Sequence, residues 1–463
     1  MLIFFHSFPF IAFFLIVFVV YWSIPKHKAL RNSILLLASY IFYASWNYKF
    51  LSLLLTSTLV DYFCAQIIFK SSSQTRKKVF LWISISVNLG LLATFKYFNF
   101  FIDNLRFAAE ALGLSLSINN LEILLPIGIS FYTFQTISYT VEVYKGRLQP
   151  ITHFPTFALY VSYFPQLIAG PIEKAKSLMP QLETVKKFAD VDFKRGLYLF
   201  VIGFIKKVAV ADTLNPIVSA GFENSGPLSS LDTLVLSYLF YLQIYCDFSG
   251  YSNMARGISE FFGIRLSQNF NLPIFAKNPS DFWNRWHITL SDWVKVYLFV
   301  PLLVKLRNPY LVSLICFPLM GLWHGAKWTF VVWGFYWLLA TVIVNLIKGS
   351  TTRKIPDFVK VVLTLHVASI GLLLFRSDSF VQWLDFLKNF VTGNLTFNLI
   401  ASPLALSGVV LFLVYELYLH FRNDYCYPAN WGLLKMAAFY FGCLVYYRVY
   451  SGTAIMDYYY LQF

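Results

Sequence analysis

Two histidines stand where an imidazole could take a proton. His324 closes a run that is otherwise apolar from Pro309, and Gly321 and Gly325 flank it in GLWHGAKW, residues 321–328. The glycines permit close approach of a second backbone or a ligand. A buried imidazole is disfavoured in its charged form, and a neutral one can act as a general base. The plain alternative is a core histidine bonded to a carbonyl. His287 lies in FWNRWHITLSDW, residues 282–293. On one continuous helix, Trp283, Trp286, Leu290, Trp293 and Tyr297 would form an apolar stripe, and Asn284, His287, Ser291 and Lys295 a polar one. This predicts an amphipathic helix that starts at Pro279 and Ser280 and lies in a membrane interface or lines a cavity. The alternative is an ordinary interfacial helix with a solvated His287.

Two more segments carry polar groups inside apolar runs, where ionisable side chains are expensive. QIYCDFSGYSNMARGI, residues 243–258, holds Asp247, Asn253 and Arg256, with Gly250 read as a break in the helix. Its alternative is a helix end where Asp and Arg pair. Lys206 and Lys207 interrupt the run GFIKKVAVAD, residues 203–212, and are expected to snorkel to the interface. The five cysteines are scattered without a CxxC pair, which argues against a disulfide framework and against a zinc site. No Gly-rich phosphate loop, GxSxG elbow, HExxH or EF-hand pattern occurs, which disfavours an ATPase, a serine hydrolase and a metalloprotease.

Membrane helices are the elements that must position these groups. Of 463 residues, 58% are hydrophobic and only 13% charged, against about 25% charged in soluble domains. Apolar segments suited to crossing a bilayer fall at 8–24, 32–46, 50–69, 79–98, 121–141, 197–215, 231–248, 309–324, 328–347, 361–375, 404–421 and 432–450. Residues 154–172 and 264–302 are broken by Pro, Gly and charge and read as re-entrant or interfacial. The expected fold is an all-α polytopic bundle of about 11–13 membrane segments, with residues 1–463 as a single domain. No positively charged stretch precedes the first apolar run, which is read as a retained span. Lys26, Lys28 and Arg31, then Lys70, Arg76, Lys77 and Lys78, then Lys145 and Arg147 follow alternate spans. Residues 173–195 add six more basic side chains. The positive-inside rule makes that side cytoplasmic and puts the N-terminus outside. The net charge of +15 is therefore assigned to topology and anionic lipid, not to nucleic acid.

Taken in order, several segments resemble the membrane-bound O-acyltransferase family, in its bacterial alginate O-acetylase-like branch. They are FFHSFPFIAFFLIVFVVYW at 4–22, LLPIGISFYTFQTISY at 124–139, FPQLIAGPIEK at 164–174, the two segments at 243–258 and 282–293, and GLWHGAKWTFVVWG at 321–334. The resemblance implies catalytic histidines at His324 and His287 and a helix bundle around a tunnel. It also implies residence in the bacterial cytoplasmic membrane. Partners would be an extracytoplasmic protein that modifies polysaccharide or peptidoglycan and the glycan acceptor itself. YYYLQF at 458–463 resembles a terminal motif whose tyrosine, here Tyr460, is a proposed acyl carrier, and it equally fits an interfacial anchor. Three features depart from the family pattern. Asn253 stands where many relatives have Asp, Asn284 stands where many have Arg, and no Gly-Gly follows VYLFVP at 296–301.

The implied chemistry is transfer of an acyl group, acetyl by preference, from acetyl-coenzyme A or another thioester, with no bound cofactor and no metal. His324 would act as base, and His287, Asn284 and Trp286 would orient the acyl group, with Asp247 in support. A secondary transporter would show paired broken helices in two related halves, and none is evident. A non-catalytic subunit of a polysaccharide complex is the remaining alternative.

Overall fold

In the computed structural model, residues 4–24, 27–223, 226, 228–350, 355–396, 403–451 and 458 are described. Helices dominate, and no strand occurs among the described residues. The chain divides into two compact units, one of residues 1–192 and 258–267, the other of 193–257 and 268–463.

The first unit opens with α1 (Phe8–Ser23), α2 (Lys28–Asn47), α3 (Leu51–Lys70), α4 (Gln74–Leu92) and α5 (Phe98–Ala111). The α1 start follows its sequence, since the Ser7 side chain accepts from Phe10 N and Pro9 sits in the first turn. A long non-helical stretch leads to α6 (Ile129–Tyr144). The predicted span at 121–141 therefore begins late. Gly128 adopts φ +78°, and a Cβ there would lie 2.4 Å from the Leu167 carbonyl oxygen, so the chain turns before it can coil. The broken segment continues as α7 (Phe154–Ser162), α8 (Phe164–Leu167) and α9 (Ala175–Glu183). Three helices share a buried polar knot. Asn88 of α4 donates to Asp61 Oδ2 at 2.8 Å, Thr140 of α6 donates to Asp61 Oδ1 at 3.1 Å, and the Ser84 hydroxyl donates to Asp61 as well. Such a knot ties helices together where packing against lipid alone gives little preference.

The second unit holds α10 (Phe193–Phe204), a π-helical turn (Ile205–Ala211), α11 (Asp212–Glu223) and α12 (Ser230–Glu260). Short pieces follow, α13 (Pro279–Trp283), α14 (Ile288–Val294) and α15 (Val300–Leu306), then α16 (Pro309–His324), α17 (Trp328–Ser350), α18 (Asp357–Arg376), α19 (Phe380–Thr392), α20 (Pro403–Arg422) and α21 (Leu433–Tyr450). Gly250 does not break its helix, because α12 runs unbroken through it for 31 residues. The glycine instead serves contact. A Cβ on Gly250 would lie 2.8 Å from the Gly203 carbonyl oxygen, and one on Gly257 would lie 2.6 Å from that of Gly196. Small residues one heptad apart thus let α10 and α12 meet backbone to backbone.

Among the described residues, five stretches are long and apolar enough to cross a membrane: Lys28–Lys70, Gln74–Ala111, Trp328–Ile347, Asp357–Arg376 and Ala405–Arg422. Phe8–Ser23 and Pro309–His324 are shorter apolar helices. Leu433 and Leu434 are 83% and 84% exposed, which suits a lipid-facing surface and not a watery one. The protein is an all-α polytopic membrane protein.

The pairing of α16 with α17 gives a direct test. A Cβ on Gly321 would stand 2.0 Å from the Phe330 carbonyl oxygen, whereas one on Gly442 in α21 would meet nothing within 4 Å. Gly321→Ala is expected to destabilise by about 1–3 kcal/mol through overpacking. Gly442→Ala is expected to be neutral or to gain up to about 1 kcal/mol from helix propensity. Thermal unfolding in detergent reads both, and equal stability of the two variants would show that the close crossing is not needed.

Candidate active site

His287 does not sit on a continuous helix. Asn278 caps α13, its side chain accepting from Asp281 N at 3.0 Å, but the helix stops at Trp283. The chain turns, and His287 takes φ +43° as the residue before α14. A non-glycine residue in the left-handed region costs about 1–3 kcal/mol and persists only where its surroundings fix it. Here the stretch around Asn269 does so. Ile288 N donates to Asn269 O at 2.9 Å, the Thr289 hydroxyl to Asn269 Oδ1 at 2.9 Å, and Asn271 N to Arg285 O at 2.9 Å. Asn269 Nδ2 reaches the Ser252 hydroxyl on α12 at 3.3 Å, and Arg285 Nε meets Asp281 at 2.8 Å. The break carries His287 inward, fully buried instead of solvated.

His324 ends α16 where the extended Gly325 (φ −168°) turns the chain toward α17. A Cβ on Gly325 would lie 2.2 Å from the Phe330 ring, so a larger residue would displace the wall behind His324. The two imidazoles lie 6.4 Å apart between ring centroids. Trp323 stands 5.9 Å from His287 and 5.1 Å from His324. Phe248 of α12 is edge-on to His287 at 4.7 Å, and Trp333 and Phe375 flank His324 at 5.2 Å and 5.3 Å. The surroundings are aromatic, and both histidines are buried among these rings.

The other predicted residues separate. Trp286 packs on Tyr241, Tyr245 and Phe270 at 5.7, 6.1 and 5.2 Å. Asn284 instead lines a cavity of about 320 Å³ with Trp283, Ser291, Lys295 and Met320. The predicted polar stripe therefore splits at the break. Asn284, Ser291 and Lys295 face the cavity, and His287 is not among its lining residues. Asp247 pairs with Lys207 at 2.8 Å, and Lys207 also meets Asp212 at 2.8 Å. Tyr460 lies outside the described residues.

Sequence reasoning misjudged the two lysines. Neither snorkels, since Lys206 is 0% and Lys207 1% exposed. Lys206 Nζ meets Glu416 of α20 at 2.7 Å and donates to the Tyr245 hydroxyl at 2.9 Å, and that hydroxyl donates to Glu416 Oε2 at 2.9 Å. A lone Glu416 in the apolar run 404–421 was the available signal. Asn253, one of the departures, donates to the Tyr425 hydroxyl at 2.5 Å.

The model of the MBOAT, membrane-bound O-acyltransferase family, matches residues 39–355. The chain is 36% identical over 398 residues to a peptidoglycan O-acetyltransferase of Helicobacter pylori, covering 78% of this chain and 73% of that one. It is 36% identical over 381 residues to a probable alginate O-acetylase of Azotobacter vinelandii, covering 80% and 74%. A teichoic acid D-alanyltransferase of Bacillus subtilis is 26% identical over 274 residues, covering 55% and 69%.

Proposed function

The chain belongs to the membrane-bound O-acyltransferase family and is an O-acyltransferase, and from that premise we propose that it takes an acetyl group from cytoplasmic acetyl-coenzyme A and passes it across the membrane to O-acetylate an extracytoplasmic polysaccharide. The observation that carries the reading is the pair of imidazoles 6.4 Å apart, buried in a cluster of aromatic rings. A hydroxyl is a weak nucleophile until a base takes its proton. In this reading His324 takes that proton, the hydroxyl oxygen attacks the thioester carbonyl carbon, and the carbon–sulfur bond breaks. The proton then returns to the departing thiolate. His287 is assigned to hold the acyl group or to donate to the developing oxyanion. Aromatic walls keep out water that would hydrolyse the thioester.

Asn284 is assigned to the donor, because it lines the cavity with Lys295, whose ammonium suits an anionic part of coenzyme A. Asp247 acts at one remove, by fixing Lys207 between carboxylates. Trp286 supports this cluster through its ring contacts. The whole chain, 1–463, is taken as one acyltransferase domain in the bacterial inner membrane with its N-terminus outside. The acceptor class follows the names of the relatives, alginate or peptidoglycan, with an extracytoplasmic partner protein making the final transfer and Tyr460 as the intermediate carrier.

The test is transfer of labelled acetyl from acetyl-coenzyme A to the chain or to glycan, in membranes that hold the protein with its neighbouring gene products. D-alanine presented on a carrier thioester is run in parallel. Label from acetyl-coenzyme A supports the reading. Transfer from the D-alanyl donor alone would replace acetyl with an amino-acyl group.

A further inference from the structure

Tyr458 is fully buried. Its ring lies 4.5 Å from Lys207 Nζ and stands edge-on to Tyr251 of α12 at 5.1 Å. Asp212 and Asp247 hold the Lys207 ammonium at 2.8 Å each. The π-helical turn at Ile205–Ala211 presents Lys207, and the Gly203–Gly250 crossing brings α12 close enough to supply Tyr251 and Asp247 on the same side. A cation fixed between two carboxylates and faced by an aromatic ring is a built socket.

We infer that Tyr458 is a positioning residue, the plug that anchors the C-terminal segment in the socket of Lys207, Asp212, Asp247 and Tyr251. Each residue of extended chain adds at most about 3.5 Å, so under the carrier reading an anchor at Tyr458 would confine acyl transfer to the neighbourhood of this socket. The inference deepens the carrier reading of Tyr460 and rests on it for the consequence, whereas the anchor stands on the contacts alone. It gives the buried charge triad a task that the two histidines do not need.

The experiment uses the full-length protein in detergent and reads two quantities. Carboxypeptidase release of residues 459–463 reads the anchor, and acetyl label recovered on Tyr460 reads carriage. Tyr458→Phe keeps a ring face for the ammonium, Tyr458→Leu keeps bulk without one, and Tyr458→Ala keeps neither. Thermal unfolding reports whether each variant is folded. The Leu and Ala variants are expected to release the tail about tenfold faster or more, with Phe close to wild type. In the Leu and Ala variants kcat for labelling should fall with the KM for acetyl-coenzyme A unchanged, a split that a general loss of structure would not give. Equal tail release from wild type and folded Ala or Leu variants would overturn the anchor. A protected tail in wild type with no label on Tyr460 would leave the anchor standing and refute the carrier reading.

Discussion

Replacing His324 by alanine is expected to lower acetyl transfer by about 10²–10⁴-fold, the range a positioned general base supplies, while the protein still inserts and unfolds near the wild-type temperature. The physical reason is location. His324 ends α16 at the mouth of a glycine-lined turn, with Trp323, Trp333 and Phe375 around it. Its removal takes away the group that accepts the hydroxyl proton and leaves the neighbouring rings able to close inward. His287→Ala should behave differently. If His287 orients the acyl group, its loss resembles removal of one oxyanion donor, about 10²–10³-fold. Transfer of label at matched expression checks both. Full activity of His324→Ala would remove it from the base role and leave His287 as the better candidate.

Both histidines stood out in the sequence because each interrupts a pattern, and the structure brings their rings to 6.4 Å. His324 ends an apolar helix that the sequence bounds to the residue, with Pro309 at its start and glycines at its close. The amphipathic periodicity around residue 287 gave the wrong geometry. A stripe drawn at helical spacing assumes one unbroken helix, and a left-handed His287 after Trp283 removes that assumption. Local sequence offers no warning, since the turn is held by Asn269 and Asn271 from outside it. The span at 121–141 was started too early for a related reason, since its helix runs Ile129–Tyr144. Apolar content is blind to backbone handedness, and Gly128 imposes it. Hydrophobicity placed most other helices well because a bilayer leaves few alternatives to a helix.

The two lysines were the larger misreading, and they carry the second strong expectation. Lys206→Met alone should cost about 3–5 kcal/mol, because it leaves the Glu416 carboxylate buried beside only the Tyr245 hydroxyl. The double variant Lys206→Met with Glu416→Leu should recover most of that loss, since two apolar groups of similar volume then replace the ions. A thermal-unfolding cycle over the four proteins measures the coupling, and simple additivity would mean that the pair does not act as a unit. Snorkelling was the wrong expectation because a lone side chain in an apolar run says nothing about what faces it. Successive residues on a helix diverge by about 100°, so Lys206 and Lys207 enter different clusters. One meets α20 through Glu416, and the other meets Asp212 and, on α12, Asp247. In a membrane the apolar stripes of helices do not choose partners, because lipid serves them equally well. Paired buried charges do choose. The two lysines therefore tie the π-helical turn at Ile205–Ala211 to α20 through Glu416, to α11 through Asp212 and to α12 through Asp247, the helix whose Phe248 meets His287.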